Sequence, residues 1–262
     1  MALQAVLCGI QPTMTRDRLP NSPLAQVACE IRFHGDLSLY EVWGRFQREV
    51  RKDFPKLFVP TAKAGISPLT QSMKLDSADG ANSVLLAINS FAFSTERYED
   101  FQRFRERFIA LQGLFCKLLE LSELTRFGLR YINFLPPVGD DGTLGARVHP
   151  CLTLELSVTP GNTWISQPQF VVEKNAGRCV LRTALLTVQN ITSFAPGLLQ
   201  VPGSTLPGLV PGVQLDLDCY MNSPCSIGDL PVLLDEAHDT IEGAFFGMIT
   251  DDYLAYLKGN PK

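Results

Sequence analysis

The sequence predicts an α+β protein: antiparallel sheets with helices packed on one face. Three observations carry this. Short runs with period-two alternation recur, such as Leu24–Phe33 and Val213–Asn222. Other stretches keep apolar residues 3 and 4 apart, as in Phe101, Phe104, Phe108, Leu111, Phe115 and Leu118. Hairpin signals, Asp79-Gly80 and Asn175-Ala176-Gly177, separate neighbouring runs.

Residues 1–20 read as a lead-in that ends at Pro20-Asn21-Ser22-Pro23. The first strand, Leu24–Phe33, has Val27, Cys29, Ile31 and Phe33 on one face and Ala28, Glu30 and Arg32 on the other. A helix over Ser38–Phe54 is predicted from the stripe Leu39, Val42 or Trp43, Phe46, Val50 and Phe54, with Asp36 or Ser38 as cap and Pro55 as stop. Leu57–Thr70 reads as loop. Gln71–Asp76 and Ser83–Ser94 read as two strands, and Thr95 as the cap of a helix running to Leu121.

Next comes Leu124–Leu135, a strand rich in aromatic, β-branched and aliphatic residues that Pro136-Pro137 terminates. Both of its faces are apolar, so Arg130 sits among buried neighbours and needs a partner. Residues 1–137 therefore run β-α-β-β-α-β, the order of a ferredoxin-like unit. In that arrangement Glu30 and Arg130 are expected on strands separated by one intervening strand.

Residues 138–262 form the second predicted half, β-β-β-β-α. Its strands are Cys151–Thr159, Gln169–Lys174, Cys179–Gln189 and Val213–Asn222. They make either a second sheet or an extension of the first. Residues 192–212 contain Pro-Gly four times and read as successive turns. A closing helix starts at Asp229 and carries Leu230, Leu233, Leu234, Ala237, Ile241, Phe245 and Met248 on one side. Thr250 to Asp252 cap a short terminal helix.

Composition narrows the function classes. The chain has 262 residues, 45% hydrophobic and 19% charged, an ordinary globular balance. Its net charge of −4 argues against a nucleic-acid partner. The charge is uneven, with 17 Lys/Arg and 14 Asp/Glu in residues 1–135 but 6 and 13 in residues 136–262. Seven scattered cysteines without a C-x-x-C read as reduced thiols of a cytoplasmic protein. No apolar run approaches the roughly 20 residues of a membrane span.

Candidate chemistry is sparse. His149 and Cys151 would share a strand face, but no further ligand follows at metal spacing, and His34 and His238 stand alone. There is no G-x-S-x-G, Walker loop or G-x-G-x-x-G. The sequence therefore predicts no catalytic residues, no metal and no cofactor. Asp216 and Asp218 alternate on a strand and could meet Glu155, which with Arg130 makes a candidate ligand set. Two charged helix faces are candidate partner surfaces. One is basic, with Arg45, Arg48, Arg51 and Lys52; the other is acidic, with Asp235, Glu236, Asp239 and Glu242.

Several motifs resemble a sporadically distributed family of prokaryotic proteins with no assigned function. They are Leu19-Pro20-Asn21-Ser22-Pro23-Leu24, Glu30-Ile31-Arg32-Phe33, Phe91-Ala92-Phe93-Ser94-Thr95 and Gly128-Leu129-Arg130-Tyr131-Ile132-Asn133, with Phe245-Phe246-Gly247-Met248-Ile249-Thr250 near the end. The resemblance implies a stand-alone cytosolic protein linked to mobile or defence genes. The expectation that follows is a non-enzymatic protein that binds another protein: an accessory, adaptor or inhibitory subunit of a bacterial defence or toxin–antitoxin-like system. Two rival expectations are kept. One is a small-molecule or nucleotide-binding protein, or an enzyme, using a cleft between the halves. The other is an RNA-binding module.

Overall fold

In the computed structural model, the described residues are 19–59, 72–135, 147–148, 169–174, 179–188 and 212–259. They are organised by one nine-stranded sheet. The first-half strands are β1 (Leu24–Arg32), β2 (Lys56–Phe58), β3 (Met73–Asp76), β4 (Asn82–Ala87), β5 (Ser90–Thr95), β6 (Glu123–Leu124) and β7 (Arg126–Leu135). The later strands are β8 (Gln169–Lys174), β9 (Cys179–Val188), β10 (Gly212–Met221) and β11 (Cys225–Ser226). The helices are α1 (Leu39–Val50), α2 (Phe101–Leu119), α3 (Leu230–Met248) and α4 (Asp251–Leu257).

The order across the sheet is β2-β3-β4-β5-β1-β7-β10-β9-β8, and every neighbouring pair is antiparallel. The second half therefore extends the first sheet rather than building another. Strand β7 is the joint, with β1 on one side and β10 on the other. The small β6–β11 ladder stands apart from the main sheet.

Phenylalanines cement helices α1 and α2 to one sheet face. Phe91 of β5 meets Phe46 of α1 and both Phe108 and Phe115 of α2, at ring distances of 5.9, 6.3 and 5.0 Å. The period-3/4 stripe of α2 supplies these contacts, and Phe108 and Phe115 are fully buried. Helix α3 covers the same face over β7 and β10, where Tyr131 meets His238. Its Asp235 grips Arg105 of α2 through two hydrogen bonds of 2.7 and 3.1 Å.

Four local expectations are corrected. The predicted strand Ser83–Ser94 is two strands, β4 and β5, closed by the pair Ala87↔Ser90. Neither Gly nor Pro marks that turn; Asn89 makes it, and its carbonyl accepts from Phe33 N at 3.1 Å. Helix α2 begins at Asp100, whose carboxylate accepts from Arg103 N at 2.8 Å, because Thr95 is taken up as the last residue of β5. Leu57 and Phe58, read as the start of a loop, belong with Lys56 to the edge strand β2. The stretch from Leu124 splits at Thr125, whose N–H bonds Arg32 O, so that Leu124 belongs to β6.

The Pro-Asn-Ser-Pro motif has a structural task. Asn21 donates from its backbone N–H to Leu257 O and from Nδ2 to Tyr256 O at 2.8 Å, satisfying carbonyls in the last turn of α4. Pro23 O then accepts from Phe134 N at 2.7 Å and leads into β1. Thr250 caps α4 by accepting from Tyr253 N, as expected.

Cys29, Cys116 and Cys225 are free thiols. Cys219 is disulfide-bonded, which corrects the reading of uniformly reduced cysteines. None of the described helices is long and apolar enough to cross a membrane. The predicted strand Cys151–Thr159, the candidate residues His149, Cys151 and Glu155, and the Pro-Gly segment up to residue 211 lie outside the described residues.

Candidate functional site

Two polar constellations stand out, one on each face of the sheet. The first lies opposite the helices, where β1, β7 and β10 are neighbours. Glu30 and Arg130 were expected across an intervening strand, but β1 and β7 pair directly, so each finds another partner. Arg126 donates to Glu30 at 2.6 Å, while Arg130 holds Asp216 through Nε at 2.8 Å and a second bond from its other guanidinium nitrogen. Arg126 also lies 3.9 Å from Asp218 and 5.1 Å over the Tyr220 ring. Arg32 adds a 3.2 Å contact to Glu30.

Signs alternate along this ribbon, as buried charges require. Gly128 gives it room. A Cβ there would lie 3.1 Å from a terminal nitrogen of Arg126, so the missing side chain is the seat of that guanidinium. The predicted set Arg130, Asp216 and Asp218 is thus brought together on one face, and the Arg130–Asp216 pair ties the two halves. None of the three lines either of the clefts on the molecule described below.

Burial pushes the Asp218 carboxyl up to about 6; Arg126 and Arg130 lower it, while Asp216 and Glu30 raise it. The folded state therefore holds this proton more tightly than the unfolded chain, whose ordinary value is 3.8. The contribution to stability is fully present below the unfolded value and is lost as pH rises through about 6, a change of about 3 kcal/mol at most. In urea titrations, Asp218→Asn should gain stability relative to wild type as pH is raised from about 5 to about 7.5. A difference independent of pH would contradict this.

The second constellation lies on the helix side, in a cleft of about 660 Å³. Its walls come from both halves: Leu19 to Leu24, the segment Glu96–Gln102 at the start of α2, Tyr131 and Asn133 of β7, and His238 to Phe246 of α3. Tyr131 points toward the helices because the pleat places it on the same face as Leu129 and Asn133. Its hydroxyl shares a 2.9 Å hydrogen bond with His238 Nδ1, and Tyr98 OH stands 3.3 Å from Tyr131 OH. The His238 ring stacks on Phe101 at 3.8 Å with planes 9° apart.

Burial holds the Tyr131 hydroxyl well above its ordinary range, with the neighbouring Tyr98 adding to the effect. It stays a neutral phenol, able to donate or accept. The chain Tyr98–Tyr131–His238 runs from the half-buried Tyr98 to the buried imidazole. At the rim, burial also raises the Glu96 carboxyl, which Lys74 lowers and Asp76 raises further.

A second groove, of about 710 Å³, adjoins this cleft along Arg97–Asp100. Its arginines are engaged in ion pairs: Arg97 with Asp79 at 2.7 Å, Arg107 with Asp53 at 3.4 Å, and Arg103 with Glu99 and Asp100.

The charged helix faces divide. Arg45, Arg48, Arg51 and Lys52 are all exposed on and just after α1. Of the acidic set on α3, Glu236 and Asp239 are exposed, Asp235 is bound to Arg105, and Glu242 lines the cleft. His238, Asp239 and Glu242 bring one donor atom each within 4.8 Å of one another, the one such group among the described residues. With Nδ1 against Tyr131, the other ring nitrogen is the one His238 could offer a cation. All three donors come from one turn of a single helix, and metal sites usually recruit ligands from further elements as well.

Sequence reading missed Tyr98, Tyr131 and His238 as a group. His238 and Tyr131 are 107 positions apart and meet only because α3 crosses β7. Compared with models of known protein families and with curated proteins, the chain matches none.

Proposed function

We propose that the protein binds a small organic molecule in the cleft between its two halves. The observation that carries this is the convergence of Tyr98, Tyr131, His238 and Glu242 on a cleft of about 660 Å³ with apolar walls. Binding sites for small molecules combine that size with apolar lining and a few placed polar groups. Pro20, Pro23, Leu24, Phe245 and Phe246 supply the apolar surface. The tyrosine–imidazole chain supplies orienting hydrogen bonds. The residues are not those expected from sequence, but the location, between residues 1–137 and 138–262, is the one named for this alternative.

The order β4-β5-β1-β7, with α1 and α2 on one face, supports a ferredoxin-like first half in which the first and last strands, β1 and β7, are neighbours and not separated by a strand as expected, extended by β10, β9 and β8.

One test is a fragment screen by ligand-observed NMR on wild type and Gln102→Trp. Gln102 is exposed on the cleft rim, so an indole there narrows the mouth without disturbing the core. Hits that bind wild type and lose contact with the variant are expected. Hits that bind both alike would place binding elsewhere.

A second reading, interaction with another protein, is favoured by the edge strand. Leu57, Phe58 and Val59 are 42, 52 and 64% exposed at the end of the sheet, an unusual density of apolar surface on an edge that no strand of the described residues pairs. The resemblance to a stand-alone, defence-linked cytosolic family fits that reading.

A further inference from the structure

We infer that the cleft takes a cationic ligand, a protonated amine carried on an aromatic or aliphatic body. The inference rests on reading the cleft as a ligand site and adds the ligand's charge and shape. Among the described residues that line it, four are carboxylates (Glu96, Glu99, Asp100 and Glu242) and one is a guanidinium, Arg97. Arg97 is paired with Asp79 at 2.7 Å, and Glu99 and Asp100 with Arg103, so the lining together with these partners holds five carboxylates and two guanidiniums, a net of −3. A concave site with low-dielectric walls concentrates the field of its charged rim. That field attracts a cation and repels a phosphate or carboxylate, which sets nucleotides aside.

The interior fits the rest of such a molecule. Tyr98 and Tyr131 meet edge to face with centroids 5.8 Å apart and planes at 62°, and the half-buried Tyr98 is the ring of the pair that a cation in the cleft can reach. Phe245 and Phe246 of α3 stand edge to face at 5.4 Å in the same lining. The aromatic or aliphatic body rests on these rings, chiefly on the half-buried Phe246. An ammonium donates hydrogen bonds and accepts none, so it pairs with the carboxylates and with the Tyr98 oxygen.

The test uses three probes that share an indole: tryptamine (cation), indole (neutral) and indole-3-acetate (anion). Binding to the full chain is measured by calorimetry, with the side-chain NMR signals of His238 reporting location. Tryptamine should bind about tenfold or more tighter than indole-3-acetate, with indole between them. Glu96→Gln with Glu242→Gln should remove most of tryptamine's advantage over indole, and added salt should shrink it. If indole or indole-3-acetate shifts His238 at least as strongly as tryptamine, the cation inference is overturned while the cleft stands as a binding site. If none of the three perturbs His238, both fall.

Discussion

Arg126→Ala should lower the stability of the fold by about 3 kcal/mol or more, the range for breaking one side of a buried ion pair. The side chains of Arg126, Glu30 and Asp218 are 13, 16 and 12% exposed, so none of the charges is well hydrated. Among the described residues, removing the guanidinium leaves Glu30 with only Arg32, whose side chain is 40% exposed, and leaves Asp218 nearer to a lone buried carboxylate. It also uncovers the ring of Tyr220 and the backbone at Gly128. Urea denaturation measures the loss. Replacing Glu30 and Arg126 together by Leu and Met should recover part of it, because no charge is then stranded at that position. A single variant as stable as wild type would show that the ribbon is solvated and contributes little.

Phe91→Ala should cost about 3–5 kcal/mol, the usual effect of truncating a phenylalanine in a closed core. Phe91 is fully buried and touches rings from α1 and α2 at once. The vacated volume is bordered by Phe46, Phe108 and Phe115, three stiff rings on two different helices, so collapse into it is limited. The same substitution at Phe246, half-buried beside the cleft, should cost far less and serves as the control. Equal losses at the two positions would mean that the aromatic cluster is not the keystone of the helix–sheet layer.

These two sites differ in how readable they were. The aromatic layer is written in local spacing: Phe101, Phe104, Phe108 and Phe115 declare a helix face, and Phe91 and Phe93 declare a strand face, without any knowledge of neighbours. The class of mixed helix and antiparallel sheet followed from the same periodicities. The ribbon was half readable. Arg130 and Glu30 were recognisable as charges in apolar strands, but their partners depend on strand order. With β1 beside β7, Glu30 pairs across to Gly128 and meets Arg126, one side-chain repeat along β7, while Arg130, one repeat the other way, meets Asp216.

The β4–β5 turn escaped notice because alternation continues through Ile88-Asn89 without Gly or Pro. The edge strand β2 is three residues long and exposed throughout, so it has no inward face to betray it. The cleft was the least readable. Tyr131 looked like one more aromatic in a strand, and His238 like a lone histidine on an amphipathic helix. Their significance is a long-range contact created when α3 lies across β7. The one local hint is that a histidine occupies the apolar stripe of α3 beside Ala237 and Ile241, where an aliphatic residue would pack without needing a hydrogen-bond partner.

The cleft as a binding site is tested most directly by the histidine side-chain signals in a long-range ¹H–¹⁵N spectrum. The chain has three histidines, so the His238 ring is assignable with a single His238→Gln variant. A fragment that occupies the cleft should shift the His238 signals in a saturable way and leave those of His34, which lies outside the cleft, in place. Fragments that bind the protein while the His238 ring signals stay fixed would contradict it.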